Sequence, residues 1–302
     1  GISTTFAGSL CGILKIGNES IGIYFGGGTA VFNAGSTLET GNQSVGVYSR
    51  QAGTIDINTT NDIKIGDNSF GFVFKNGGIL NTASTAAKVE LGDNSTYIHA
   101  EGSSRITNNL DILMKSNASN GFVILNGDLT NNGAITGISG TGNTGIYSEN
   151  GTVSNKGSIT LGDSLVVLNA DNSVNITASN YSIGIYGINS KITNGTGVDI
   201  NVGKNGVGIY SESSETNISN QPVIINNGNI IMSGNNVTGM FANISSKAVN
   251  NGLIDMSGTT GNKSTAFLLG AGSTYENNGT LILGSNATIS SVIGISHEIP
   301  SL

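Results

Sequence analysis

Apolar residues recur along this chain in short alternating bursts, and the bursts themselves repeat. Residues 20–24 read SIGIY, 44–48 SVGVY, 69–73 SFGFV, 143–147 NTGIY, 182–186 SIGIY and 206–210 GVGIY, with worn copies starting at Thr96, Asn120, Ser164, Thr238 and Thr265. Aligned on the central glycine, they place Gly22, Gly46, Gly71, Tyr97, Gly121, Gly145, Leu165, Gly184, Gly208, Gly239 and Ala266 in one column, with a period of mostly 24 to 27 residues. About ten residues later come an apolar residue, any residue and Asn, as in Val31-Phe-Asn33, Ile79-Leu-Asn81, Ile106-Thr-Asn108 and Ile192-Thr-Asn194. A third burst closes each unit on a glycine turn: Leu14-Lys-Ile-Gly17, Ile63-Lys-Ile-Gly66, Val89-Glu-Leu-Gly92.

Alternation with period two over four or five residues, bounded by Gly, Asn and Asp, predicts a strand. Three such strands in each repeat of about 25 residues predict an all-β solenoid, a parallel β-helix of about 12 coils in which each coil buries its apolar face only by stacking on its neighbours. At ~4.8 Å per coil the rod is roughly 55 to 60 Å long. A β-propeller needs four strands and about 40 residues per repeat, which the shorter period rules out.

Alternation also assigns faces. It puts Ile21 and Ile23 on one side of the strand and Gly22 and Tyr24 on the other. The Ile23 column, which includes Ile185 and Ile209, is apolar throughout and is assigned to the lumen. The Tyr24 column continues through Tyr48, His99, Tyr147, Tyr186 and Tyr210, tolerates His, and is assigned to the outside, where leaning rings cover the bare glycines. The Asn column reads as a ladder of stacked amides at a turn.

Composition narrows the field. The 302 residues include 46 Gly, 2 Pro and no Trp, and only 10% are charged. Apolar residues make up 37% and are evenly spaced, which a disordered chain lacks. Uniform composition offers no boundary, so residues 1–302 read as one unit. A net charge of −7 disfavours nucleic acid and anionic membranes as partners. The single cysteine, Cys11, excludes an internal disulfide and a Cys-based zinc site. No apolar run approaches the ~20 residues of a membrane-spanning helix.

Gly-Ile-Tyr, then Asn-Asn-Gly, then Gly-Asp-Asn-Ser together resemble the passenger domains of type V autotransporters, especially the large Asn- and Gly-rich fusobacterial outer-membrane adhesins. The resemblance covers essentially the whole chain. It implies a right-handed parallel β-helix exported to the cell surface and held at the outer membrane by a barrel domain, without cofactor or catalysis. It also implies adhesion to a host cell-surface protein or glycan, or to another bacterial surface. No strands of such a barrel occur in this sequence, so the chain is expected to be a segment of a longer passenger. The scarcity of cysteine accords with crossing the outer membrane unfolded.

Parallel β-helices also carry polysaccharide-degrading enzymes, so a carbohydrate-active enzyme or carbohydrate-binding domain is the alternative. Glycoside hydrolysis needs two carboxyls ~5 to 10 Å apart across a groove. Here Asp56 and Asp62 are close in sequence, but neither Arg50 nor Arg105 falls in a matching column, and His99 and His297 lie far apart in the repeat order. Asp67 and Asp93 occupy equivalent turns of consecutive coils, where stacked like charges invite a cation such as Ca²⁺. The same column holds Asn18, Asn42, Lys204 and Ser285, so solvated turn acids are expected.

The spacing departs once. Gly208 and Asn226 are eighteen residues apart where ten or eleven is the rule, and the surplus falls in residues 211–222, SESSETNISNQP, which are expected to form a surface loop. A regular solenoid offers nearly the same surface at every coil, so a specific partner is expected where that repetition breaks. The expected contact residues are Glu212, Glu215, Asn217 and Asn220 of the loop, with Tyr186 and Tyr210 beside it. The coil ends carry no polar cap, and unpaired strand edges there are expected to favour self-association.

Overall fold

The computed structural model describes residues 6–175, 178–213, 222–260, 263–285 and 288–292. Over these residues the chain is a parallel β-helix of eleven coils with three strands per coil. The first coil runs through Phe6–Leu10, Ile13–Ile16 and Ile21–Phe25, the last through Thr274–Asn277, Thr280–Ile282 and Thr288–Val292. Each strand pairs in parallel with its equivalents in the coils before and after, giving three eleven-stranded sheets: first, second and third in chain order. At ~4.8 Å per coil the rod is about 50 Å long.

One continuous apolar core fills the lumen from Ile16 to Leu269. Strand register aligns Ile23, Val47, Phe72, Ile98, Phe122, Ile146, Ile185, Ile209, Met240 and Phe267, and from Val47 onward every member is fully buried. The Ile23 column is therefore core, as its composition predicts.

The expected faces fail at the glycine. Ile21 is 51% exposed, while Ile183 and Val207 cluster with Tyr186 and Tyr210 on the outer side. It is the glycine that shares the lumen side with Ile23: a Cβ on Gly184 would stand 2.5 Å from the Gly208 carbonyl oxygen and 2.7 Å from the Ile200 side chain. Two successive residues, Gly184 and Ile185, thus face inward, and the pairing passes over the glycine, joining Ile183 to Val207 and Ile185 to Ile209. The column is glycine because neighbouring coils approach too closely for a side chain, not because a tyrosine covers it. Tyr97 is an exception in that column. Its ring is fully buried, edge-on to Phe72 and Phe122 with centroids 5.8 Å away in each case, and its hydroxyl has no partner.

Two further expectations are corrected. Residues 164–167 are not a coil, because Thr144–Glu149 pairs directly with Ile183–Ile188. The chain after Ile159–Leu161 instead makes an antiparallel excursion, bridged at Leu165 to Asn180 and Leu168 to Val174. Leu165 there is 47% exposed and does not belong to the glycine column.

The Asn ladder is real but starts later than its sequence motif. Asn108, Asn131, Asn155, Asn194, Asn226, Asn250 and Asn277 are linked in turn, each Nδ2 donating to the next Oδ1 at 2.8–3.0 Å. The second Nδ2 hydrogen goes to a carbonyl a few residues on, as from Asn131 to Gly133 at 2.8 Å. A buried polar row satisfied in this way rigidifies the corner it lines. Asn33 and Asn81 lie outside it. Phe32, Ile57 and Thr82 hold the position in the early coils, and Asn81 pairs one residue away and donates to Asp56.

Candidate functional site

At the corner between the second and third sheets, turn side chains tie several successive coils together. Asn18 and Asn42 accept the backbone N–H of Asn42 and Asp67 at 2.9 and 3.0 Å, and Asp67 accepts that of Asp93 at 2.8 Å. Asp93 accepts the N–H of Asn117 at 3.0 Å, and Asp163 that of Lys204 at 2.8 Å. An amide oxygen and a carboxylate oxygen both serve this role, which explains why the column accepts either Asn or Asp. Asp62 and Asp111 likewise accept the N–H of Lys88 and Ala134, both at 2.8 Å. These carboxylates are structural hydrogen-bond acceptors. His99 Nε2 lies 2.9 Å from Glu101 Oε1, and Lys75 pairs with the same oxygen. Partial burial opposes ionisation of Glu101, but these two partners outweigh it and hold the carboxyl below its ordinary range. His297 lies outside the described residues.

The expected contact residues divide sharply. Glu215, Asn217 and Asn220 lie outside the described residues. Tyr186 and Tyr210 stand on the outer face of the third sheet as expected, but they are 4% and 1% exposed and offer no ring face to a ligand. They belong to an edge-to-face series: Tyr147 to Tyr186 at 5.2 Å, Tyr186 to Tyr210 at 4.6 Å, and Tyr210 to Phe241 at 4.8 Å. Glu212 is spent on the same cluster, accepting the hydroxyl of Tyr186 at 3.1 Å and that of Tyr210 at 2.6 Å. Asn243 donates to the Tyr210 hydroxyl at 3.1 Å. Burial, followed by the Glu212 carboxylate, pushes the Tyr186 and Tyr210 phenols far up, and burial raises Tyr147 to about 12. The arrangement is a closed internal network.

Of the expected 211–222 loop, Ser211 and Glu212 belong to the strand Val207–Glu212, because they pair in register with Ala242 and Asn243, and residues 214–221 lie outside the described residues; the next first-sheet strand begins at Val223. At the corner between the third and first sheets a groove of about 590 Å³ runs along the coils. Its floor is bare backbone at Gly127 and Gly151, because a Cβ at Gly127 would meet the Ser104 carbonyl oxygen at 2.8 Å and one at Gly151 the Gly127 carbonyl oxygen at 2.3 Å. One wall carries Asn126, Asn150 and Asn189, all with positive φ (60°, 52° and 50°), Asn189 donating to Asn150 at 3.1 Å. The opposite wall is the aligned row of Arg105, Asp128, Thr152 and Lys191. Ser213 and Pro222 line the far end.

The irregular spacing at 211–222 did not point to this groove. A usable signal was present: Asn-Gly-Asp at 126–128, Asn-Gly-Thr at 150–152 and Asn-Ser-Lys at 189–191 each follow a third-sheet strand at the same offset. Compared with protein-family models, curated proteins and solved structures, the chain matches none.

Proposed function

We propose that this β-helix is a non-catalytic segment of an exported adhesin, a rigid stalk that carries a binding surface to host cells or to other bacteria. The observation that carries this reading is the use made of the acids: Asp62, Asp67, Asp93, Asp111 and Asp163 each cap a backbone N–H of the following coil. Only one acid, Asp128, lines the groove among the described residues, whereas hydrolysis of a glycosidic bond needs two facing carboxyls. A scaffold whose polar groups tie coil to coil is suited to reach and stiffness. Labelled protein is expected to attach to cultured epithelial cells or to bacterial cells and to release no reducing ends from polysaccharides. Attachment to neither cell type, or turnover of a polysaccharide, overturns the proposal.

A further inference from the structure

The protein as a whole is acidic, with a net charge of −7, and most of its cations near a carboxylate are paired with it: Lys15 with Glu39, Lys75 with Glu101, Lys115 with Glu90 and Lys247 with Glu276. Arg105 and Lys191 belong to the cations with no such pair among the described residues, and they are the two that line the groove. Both are exposed on one wall of the groove, and neither has a carboxylate within ion-pair distance among the described residues. They are separated by three steps of the coil, about 14 Å at one strand spacing per step. An unpaired Arg and Lys beside an open trough are free to make charge-assisted hydrogen bonds to anionic oxygens.

The shape of the trough restricts what carries those oxygens. Its walls repeat one residue per coil, ~4.8 Å apart, close to the rise of one sugar in an extended glycan. The amides of Asn126 and Asn150 and the carboxylate of Asp128 offer donors and acceptors of the kind sugar hydroxyls use. A peptide strand finds no edge to pair with, because the backbone N–H groups of Asp128, Thr152 and Lys191 already bond to the preceding coil at 2.8, 3.1 and 3.0 Å. Nor is there an apolar pocket for a side chain in a trough floored by glycine.

We infer that this groove binds an anionic oligosaccharide of about four residues laid along the rod, its carboxylate or sulfate groups on Arg105 and Lys191 and its hydroxyls on Asn126, Asn150 and Asp128. The inference deepens the adhesive reading and takes its biological sense from it, but its chemistry is testable alone.

The test is calorimetric titration of the whole chain with three probes: tetragalacturonate, a sulfated tetrasaccharide cut from heparin, and neutral galactotetraose. At least one acidic probe is expected to bind, tenfold or more weakly to the Arg105→Gln/Lys191→Gln variant, and more weakly as salt is raised, while the neutral probe does not bind. Whichever acidic arm binds identifies carboxylate or sulfate as the recognised group. Both substitutions are on exposed side chains, so an unchanged melting temperature confirms that the variant is folded. Equal binding of the neutral probe, undiminished binding by the variant, or no binding of either acidic probe overturns the inference. In a parallel attachment assay, cells that hold the parent and the variant equally well remove the groove while leaving adhesion standing. A protein that binds the acidic probe and attaches to no cell removes the adhesive reading and leaves the groove.

Discussion

Tyr24 and Tyr210 occupy the same column of the third sheet, yet Tyr24 is 57% exposed and Tyr210 is 1% exposed. Near the start of the rod, Tyr24 and Tyr48 lie flat on one another at 5.4 Å and 5°. Around the eighth coil the rings of Tyr186 and Tyr210 meet edge to face, and Glu212 takes both hydroxyls. Tyr181, at the base of the 163–182 excursion, packs on that later cluster together with Ile188 and Leu268. The corner column between the first and second sheets changes in parallel: apolar Phe32 and Ile57 early, the amide ladder from Asn108 onward. One cross-section is thus built with two chemistries. A repeat position determines where a side chain points, and its neighbours in adjacent coils determine what that side chain does.

The strongest contrast is expected from truncating the two tyrosines. Tyr210→Ala empties a buried site, takes from Glu212 one of its two phenol donors and from Asn243 its hydroxyl acceptor, and is expected to cost about 3 to 5 kcal/mol, whereas Tyr24→Ala removes a half-exposed ring and costs about 1 kcal/mol or less. Denaturant unfolding of both variants checks this; similar losses would mean that the later cluster is not sealed. An intermediate effect is expected from exchanging the two corner chemistries. Asn194→Ile deprives the Asn155 Nδ2 of its ladder acceptor and the Asn226 Oδ1 of its ladder donor, and Ile57→Asn puts an amide where no ladder continues, so each is expected to cost about 2 to 3 kcal/mol although each residue type is native to the column. If either variant melts with the parent, the two segments tolerate each other's chemistry. The smallest effect has the opposite sign. Tyr97→Phe removes a buried hydroxyl with no partner while keeping the ring between Phe72 and Phe122, and is expected to raise stability by about 1 kcal/mol. A lowered melting temperature would show that the hydroxyl has a partner in solution.

Much of the fold was legible because the signal is periodic. The Ile23 column, three strands per coil and the parallel stacking all follow from the period and from alternation. Two features were misread: alternation assumes an ideal pleat, and a motif match assumes a coil. Gly184 and Ile185 face the same way because the coil must pass within contact distance of the next carbonyl, and no single-strand rule contains that constraint. The run at 164–167 resembles a worn repeat, but its apolar residues form an antiparallel excursion. The site was less legible. Tyr186 and Tyr210 read as outward rings, which is correct, and as available rings, which is not, since their burial depends on residues from several coils.

Period, strand alternation and glycine spacing, all local properties of the chain, determined by themselves that this protein is a β-helix and which aliphatic column fills it. Only the stacked structure decided which polar residues are spent inside and which stay free. Asp67 and Asp93 as caps, Glu212 as a tyrosine partner, and Arg105 and Lys191 left unpaired beside a bare trough are all consequences of register between coils. Residues 23 to 41 apart in sequence come within hydrogen-bonding distance there, and their chemistry is set by that contact rather than by their own type.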